Sequence, residues 1–258
     1  MKRELLGEFI GTAIIVIFGC GSVASAILFD SFNGLFQIAM VWCAGVTLAI
    51  YAAKQLSPAH LNPAVSLAML VAGKINLKKF GLYSIAQILG GVFGAAILYA
   101  IFHPTIEHYE AVHGIIRGSS DSVVTASMFG EFFPNPGFAE TAGNVTIWQA
   151  TGAELLGTFI LVFMIFKLCS KENESKLTPF YIGLTVAGLI CLLAPISQGG
   201  FNPARDFGPR IFSYFAGWKS AAFQAPSWSF LTVYIIGPMI GGVLGALANK
   251  LSKHKTIA

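Results

Sequence analysis

The sequence has few charged side chains. Only 11% of its 258 residues are Asp, Glu, Lys or Arg, whereas 55% are hydrophobic. Soluble domains carry about 25% charged residues, so this composition excludes an ordinary soluble domain and indicates an integral membrane protein. The net charge of +4 comes with no basic run interleaved with aromatic residues, and the lysines stand at the ends of apolar segments. This distribution argues against binding to nucleic acid.

Cysteine and metal-binding patterns are scarce as well. The four cysteines are Cys20, Cys43, Cys169 and Cys191. All lie inside or at the ends of apolar segments and none forms a CxxC pair, so we predict small buried residues rather than a disulfide framework or a zinc site. The histidines His103, His108 and His113 are spaced by five residues and do not share one helical face. The sequence therefore predicts no metal site and no cofactor.

Long apolar runs are abundant. A helix needs about 20 residues to cross the roughly 30 Å of hydrocarbon in a bilayer. The segments that meet this length are Leu5–Phe29, Leu35–Ala53, Leu82–Phe102, Thr146–Leu168, Pro179–Ile196 and Phe230–Leu251. Two further apolar stretches, Pro63–Val71 and Pro203–Phe212, are too short to cross and predict re-entrant half-helices. The predicted fold class is an all-α membrane protein with six transmembrane helices and two re-entrant half-helices.

The positive charges are distributed unevenly between the two ends of these spans. With a cytoplasmic N-terminus, one side of the membrane carries Lys2, Arg3, Lys54, Lys74, Lys78, Lys79, Lys167, Lys171, Lys176, Lys250, Lys253 and Lys255, and the other carries only Arg117, Lys219, Arg205 and Arg210. Cytoplasmic segments hold the excess of Lys and Arg, so both termini are predicted to be cytoplasmic. The loop 104–145 is then external, and its acids are Glu107, Glu110, Asp121, Glu131 and Glu140. The short tails favour a multi-pass protein of the bacterial inner membrane, which is a plasma membrane.

Two short patterns each occur twice in the chain. Gly7-Glu-Phe-Ile-Gly-Thr12 matches Ala153-Glu-Leu-Leu-Gly-Thr158 at the start of two spans, and both half-helices begin with Asn-Pro-Ala. Each half thus contains three spans, an odd number, so the second half enters the membrane from the opposite face. We predict one channel domain over 1–258, with inverted repeats of about 1–103 and 146–258 joined by the external loop. Such folds place their site near the midplane, where the repeats meet.

Some ionisable side chains fall within the apolar segments, where charge is costly, and among them Glu8, Glu154 and Arg205 bear on function. Glu8 and Glu154 allow two interpretations: a proton relay, which would make the protein a transporter, or a structural role. Arg205 lies one turn into the second half-helix, and at membrane depth an arginine costs about 2.5–3.5 kcal/mol on insertion scales. Lining an aqueous pore would remove most of this cost, and the neighbouring Asp206 is the alternative, as a structural partner.

Taken together, these motifs resemble the aquaporin and aquaglyceroporin family of major intrinsic proteins, over essentially the whole chain. The stretches that carry the resemblance are His60-Leu-Asn-Pro-Ala-Val65, Asn202-Pro-Ala-Arg-Asp-Phe-Gly-Pro209 and, for bacterial glycerol facilitators in particular, His113-Gly-Ile-Ile-Arg-Gly118 and Phe133-Pro-Asn-Pro136. The resemblance implies a homotetramer in the lipid bilayer, with one pore per subunit. It also implies that Glu8 and Glu154 are structural and accept hydrogen bonds from the backbone of the re-entrant loops.

In that family the two Asn-Pro-Ala motifs form the centre of the pore. The motif residues here are Asn62, Pro63, Ala64, Asn202, Pro203 and Ala204. Asparagine is a preferred helix cap, proline fits the first turn, and the small alanine permits close approach, so each motif starts a helix. The positive ends of the two half-helices then repel cations and protons, while each asparagine donates a side-chain N–H to a passing oxygen.

The family's selectivity constriction consists of four positions, which we count from the motifs. They are Trp42, Ile190, Gly199 and Arg205, and Arg205 is the selectivity arginine. The pore-loop carbonyls implied by the resemblance belong to Pro58, Ala59, His60, Gln198, Gly199 and Gly200. Ile190 replaces the histidine typical of water-selective members and donates no hydrogen bond, while Gly199 leaves an open wall. Trp42 and Ile190 offer apolar surface and Arg205 binds hydroxyls, a lining that suits glycerol better than water alone.

The predicted function is a passive channel, not an enzyme, for glycerol and other small neutral solutes, with water permeation and exclusion of protons and ions. Two alternatives stay open, a water-selective aquaporin and a proton-coupled transporter that uses Glu8 and Glu154. Glycerol facilitators usually have an aromatic residue where Gly199 stands and a glycine where Ile190 stands. The large and small residues are exchanged here, so the pore width does not follow from the resemblance.

Overall fold

The computed structural model describes residues 1–173, 175–223, 226 and 228–254. Its α-helices are α1 (Lys2–Phe29), α2 (Leu35–Lys54), α3 (Pro63–Val71), α4 (Leu77–Val112), α5 (Val123–Ala126), α6 (Ala139–Ala142), α7 (Ile147–Leu168), α8 (Thr178–Ser197), α9 (Pro203–Ser213) and α10 (Gly237–His254). The shorter turns are the 3₁₀ segments Ser120–Ser122, Pro136–Phe138 and Lys219–Ala222 and the π-helical segments Tyr214–Trp218 and Leu231–Ile236. Lys255, which was counted among the cytoplasmic charges, lies outside the described residues.

Six helices in this part of the chain are long and apolar enough to cross a membrane. They are α1, α2, α4, α7, α8 and the continuous stretch Leu231–Ser252, in which a π-helical turn runs into α10. The two half-helices α3 and α9 follow the Asn-Pro-Ala motifs, and α9 ends at Ser213, one residue beyond its predicted end. The predicted all-α membrane fold with six spans and two half-helices is confirmed.

Helix α4 is longer at both ends than the predicted span Leu82–Phe102, so the loop 104–145, which was predicted to be external, begins as helix. Hydropathy identifies only the apolar part of a helix. The part of α4 that follows Phe102 is amphipathic instead, with Ile106 buried and Glu107 exposed. Arg117 connects this part of α4 to the rest of the fold. Its Nε donates to Glu110 Oε2 at 2.9 Å, and its guanidinium lies 4.6 Å from the ring centroid of Trp218. Burial opposes the charged form of Arg117, but the hydrogen bond with Glu110 and the attraction between the charges raise its pKa above the ordinary value.

The helices of the two halves pack in matching ways. Helix α1 packs against α2 and α4 as α7 packs against α8 and α10. Each half-helix lies against a span of the other half, since α9 contacts α4 and α3 contacts α10. The spans α2 and α8 also contact each other across the two halves. A Cβ atom added at Gly91 would lie 2.6 Å from the carbonyl oxygen of Ala204, and one added at Gly242 would lie 2.7 Å from that of Ala64. The spans therefore approach the half-helix backbones through glycine.

The outer surface is apolar, as a lipid-facing surface must be. Large exposed side chains include Phe36, Ile101 and Leu192, which are 67%, 64% and 73% exposed. Trp148 and Trp228 are exposed beside the ends of spans, and tryptophan favours the membrane interface. These surfaces agree with a multi-pass membrane protein.

The prediction that the cysteines are buried is correct for two of them. Cys20 and Cys43 are buried, Cys191 is half-buried, and Cys169 is exposed. Cys169 follows the last residue of α7, and a residue at a helix end is not enclosed by the bundle as a mid-span residue is. The hydrophobic run alone does not distinguish a cysteine in the middle of a span from one at its end.

Candidate pore and constriction

The two half-helices begin with the same capping geometry. Asn62 Oδ1 accepts the backbone N–H of Ala64 at 2.8 Å, and Asn202 Oδ1 accepts that of Ala204 at 3.0 Å. Asn202 also accepts the N–H of Arg205 at 3.3 Å. Proline follows each asparagine as the first helical residue, where its missing N–H is not needed. The sequence motif is therefore a helix start in both halves.

The same two asparagines join the halves to each other. Asn62 Nδ2 donates to the carbonyl oxygen of Phe201 at 2.8 Å, and Asn202 Nδ2 donates to that of Leu61, also at 2.8 Å. An amide nitrogen carries two hydrogens, so each asparagine keeps a second N–H. Both asparagines line a common cavity. That second N–H is therefore the group that a solute in the cavity can meet.

The loop before α3 is held by Glu8, which is fully buried. Its Oε1 accepts from Ser57 Oγ at 2.8 Å and from the backbone N–H of His60 at 3.0 Å. Its Oε2 accepts from the backbone N–H of Leu61 at 2.7 Å and from Gln87 Nε2 at 2.8 Å. Four donors thus surround one carboxylate, which is the geometry that the structural interpretation of Glu8 requires.

Glu154 does the same for the loop before α9. Its Oε1 accepts from Ser197 Oγ and from the backbone N–H of Gly200, both at 2.8 Å. Its Oε2 accepts the backbone N–H of Phe201 at 2.6 Å. The donors correspond one to one with those of Glu8, apart from the additional glutamine in the first half. The two carboxylates are thus the anchors of the two pore loops.

Both loops contain non-glycine residues in the left-handed region. The φ angles are 55° at Ala59 and 53° at Leu61 in the first loop, and 59° at Gln198 and 50° at Phe201 in the second. Such conformations cost about 1–3 kcal/mol each and persist only where the surroundings hold them. The hydrogen bonds to Glu8 and Glu154 supply that restraint.

Two cavities meet at the predicted constriction. The pore cavity has a volume of about 300 Å³ and reaches from Arg205 past both asparagines to Lys54 and Lys74. The second cavity, which we call the vestibule, has a volume of about 390 Å³ and reaches to Asp30 and Asn135. Trp42 lines both cavities. The boundary between them therefore lies at this tryptophan.

The predicted site residues are distributed over these two cavities. Of the constriction residues, Gly199 and Arg205 line the pore cavity, and Ile190 lines the vestibule. Of the residues whose carbonyls were predicted to line the pore, Pro58, Ala59, His60, Gly199 and Gly200 line the pore cavity. Gln198 differs, because it lines the vestibule and its side-chain Oε1 accepts the backbone N–H of Phe132 at 2.6 Å. It belongs to the outer side of the boundary.

Arg205 is 2% exposed and faces two side chains. Its guanidinium carbon lies 4.1 Å from the ring centroid of Trp42, and its Nη1 forms an ion pair with the carboxylate of Glu131. The alternative partner, Asp206, instead pairs with Arg210, with 2.8 Å between Oδ2 and Nε. Asp206 therefore does not compete for Arg205.

Glu131 is the residue at this site that sequence reasoning missed. It was only one of five acids in the external loop, yet it is 4% exposed. Its backbone N–H donates to Asp206 Oδ1 at 2.7 Å, and its carbonyl oxygen accepts from Arg210 Nη2. Charge balance gave a signal: α9 carries two arginines and one aspartate, so a second carboxylate has to come from elsewhere in the chain.

The chain was compared with known protein families and proteins. A family model described as major intrinsic protein matches residues 1–249. The glycerol uptake facilitator of Haemophilus influenzae is 37% identical over 260 residues, which cover 100% of this chain and 94% of the relative. The glycerol uptake facilitator of Escherichia coli K12 is 33% identical over 254 residues, covering 97% and 88%. The propanediol uptake facilitator of Citrobacter freundii is 32% identical over 250 residues, covering 95% and 90%.

A solved structure agrees with these relatives. The aquaglyceroporin from Plasmodium falciparum matches with a TM-score of 0.83 and 24% identity, and the match covers 99% of each chain. At 24% identity this likeness supports the fold of the chain and no more than the fold. The family match extends over nearly the whole sequence, and the relatives are similar along nearly their whole length. The chain belongs to the major intrinsic protein family, a family of membrane channels rather than enzymes.

Proposed function

We propose that the protein is a passive channel for glycerol and other small neutral solutes, which also conducts water. The observation that carries this proposal is the lining at the boundary of the two cavities. Trp42 and Ile190 present apolar surface to a carbon chain, and Arg205 presents N–H donors to hydroxyl groups. A polyol has both kinds of surface, so this lining matches it. The names of the relatives, glycerol and propanediol uptake facilitators, support the same class of solute.

The same site accounts for exclusion of protons and ions. The N-termini of α3 and α9 both open on the pore cavity, and each carries about half a positive elementary charge. A cation passing Asn62 and Asn202 would meet both positive ends, and a chain of waters would be oriented by the two amide groups. A neutral solute meets neither obstacle.

Two other functions are less well supported. A water-selective channel would need a polar, narrow constriction, whereas Ile190 brings no hydrogen-bond donor to the constriction. A proton-coupled transporter would need Glu8 or Glu154 to exchange protons, whereas their oxygens are occupied by donors from the pore loops. A carboxylate that anchors a loop in this way is a poor carrier of protons.

The arrangement in the membrane is part of the proposal. We propose that residues 1–258 form one channel domain of two inverted repeats, about 1–103 and 146–258, joined by the external loop 104–145. Both termini then lie in the cytoplasm, in a bacterial inner membrane, and the chain assembles as a homotetramer with one pore in each subunit. The matched packing of the two halves and the uneven distribution of lysine and arginine support this arrangement.

The experiment uses the purified chain in proteoliposomes. Stopped-flow light scattering under gradients of glycerol, urea and an impermeant osmolyte measures solute and water permeability separately. We expect glycerol permeability well above that of empty liposomes, with no change in a pH-sensitive dye trapped inside. Water flux without glycerol flux would favour the water-selective alternative, and acidification driven by solute would favour the transporter.

A further inference from the structure

The gap that Gly199 leaves in the pore wall is occupied by another residue. A Cβ atom added at Gly199 would lie 3.3 Å from both Cε2 and Cζ of Phe201 and 3.5 Å from Cγ1 of Ile190. Phe201 lines the pore cavity next to Gly199 and is 2% exposed. An aromatic edge thus stands directly beside the position where Gly199 provides no side chain.

The ring of Phe201 is fixed from several directions. Its backbone N–H is bound by Glu154 at 2.6 Å, and its carbonyl oxygen is bound by Asn62 at 2.8 Å. Behind the ring lies Gly157 of α7, where an added Cβ atom would be only 2.8 Å from Cζ of the phenyl group. A side chain confined in this way has no room to move aside, because packed interiors offer few voids. The ring is therefore a permanent part of the wall.

The first half of the chain has a smaller residue at the corresponding position. Leu61 has the same backbone conformation, donates its N–H to Glu8 at 2.7 Å and offers its carbonyl oxygen to Asn202. It packs against Gly11 of α1 as Phe201 packs against Gly157. The backbone of these loops accepts leucine, so phenylalanine is not required to form the loop. Its extra volume lies on the side of the pore where Gly199 stands.

We propose that Phe201 is a specificity-determining residue, whose ring replaces the side chain missing at Gly199 and limits the size of solute that passes. The inference rests on the proposed function, since it concerns which neutral solutes the channel admits. Trp42 and Ile190 form the rest of the apolar boundary, and Phe201 lies just inside it. A solute with one more carbon than glycerol would meet the ring edge.

The test replaces Phe201 by leucine, the residue of the first half, and in a second variant by methionine. Permeability to water, glycerol, erythritol and xylitol is measured in proteoliposomes that hold the full chain. We expect the ratio of erythritol to glycerol permeability to rise about tenfold, at the low end of what one fitted apolar group contributes to discrimination. Water permeability should be unchanged, because water is much smaller than any of the three polyols.

The matched control is Phe215→Leu, because Phe215 is an aromatic residue that is 82% exposed and lines neither cavity. It should leave the ratio as it is in the unaltered chain. An unchanged ratio in both Phe201 variants with normal water permeability would overturn the inference, and so would an equal loss of every flux in both. Failure of the proposed function would appear instead in the unaltered chain, as glycerol permeability no greater than in empty liposomes.

Discussion

At the scale of single residues, the charges of the second half-helix form a balanced cluster. Arg205 and Arg210 are buried, and their partners are the carboxylates of Glu131 and Asp206. Desolvating one charge costs several kcal/mol unless a partner compensates for it. The loop 104–145 thus contributes a charge that the half-helix needs, which explains why an acid far away in the sequence lies at the boundary of the pore.

This balance predicts the effect of Glu131→Gln. The substitution leaves the charge of Arg205 buried without a carboxylate, and breaking a buried pair by removing one partner typically costs about 3–5 kcal/mol. We expect a clearly lower thermal transition of the detergent-solubilised protein, measured by intrinsic fluorescence. The control is Glu140→Gln, which removes an exposed acid of the same loop. Equal transitions for the two variants would mean that the pair contributes nothing to stability.

At the scale of elements, the pore loops take their shape from carboxylates on neighbouring helices. Glu8 on α1 and Glu154 on α7 each bind two consecutive backbone N–H groups of a loop that contains several residues with positive φ. The loops have no regular ladder of their own, so these bonds replace it. A loop anchored in this way keeps its carbonyls in place while solutes pass.

The anchoring predicts that Glu8→Gln destabilises the fold. The amide nitrogen of glutamine cannot accept a hydrogen bond, so two of the four donors around Glu8 lose their partner, at about 1–3 kcal/mol for each. We expect a lower thermal transition together with loss of glycerol flux. The control is Glu107→Gln on the exposed part of α4, which should leave both unchanged. A stable variant that no longer conducts glycerol would instead reopen the interpretation of Glu8 as a proton relay, and a stable variant that conducts normally would show that the carboxylate is not needed as an anchor.

The contact between α4 and α9 predicts a contrast between two glycines of one helix. Gly91→Ala places a methyl group against the carbonyl oxygen of Ala204, at 2.6 Å, and should push α9 away from the pore. Gly81→Ala meets nothing within 4 Å and should stabilise the helix by about 1 kcal/mol through helix propensity. Thermal transitions and glycerol flux should fall in the first variant only. Identical behaviour would show that the close approach is not required.

At the scale of the whole molecule, the pore cavity has an end that a reagent can reach. Cys169 is exposed and lines the pore cavity close to Lys54 and Thr178, at the end predicted to be cytoplasmic. Cys20 and Cys43 are buried in the bundle. A bulky group attached to Cys169 would therefore stand at one mouth of the pore.

This placement predicts a sided inhibition. A membrane-impermeant thiol reagent should reduce glycerol flux in inside-out vesicles, where the cytoplasmic face is outside, and have no effect in right-side-out vesicles. Thiol reagents require an accessible thiol, and exposure of Cys169 meets that condition. Cys169→Ser should conduct normally and be insensitive to the reagent. Inhibition from the opposite side would reverse the proposed orientation.

Much of this architecture follows from the sequence, and the reasons are physical. The spans are visible because lipid demands about 20 apolar residues, and the half-helices because Asn-Pro-Ala is a helix start. Glu131 was not found, because its position depends on an irregular loop for which no periodicity exists. Phe201 was not found either. Counting from the motifs identifies Gly199 as the constriction position, and Phe201 lies two residues further along the chain. The charge balance of α9 shows that a further carboxylate is needed, but it does not show which acid supplies it.

The hydrogen bonds between the two asparagines and the opposite loops also bear on how the protein is made. Asn62 is bonded to a residue 139 positions later in the chain. When the ribosome has completed the first half, its pore loop lacks this acceptor, and Leu61 lacks its donor. The first pore loop can therefore reach the hydrogen bonding of the finished fold only after the chain has been synthesised as far as α9.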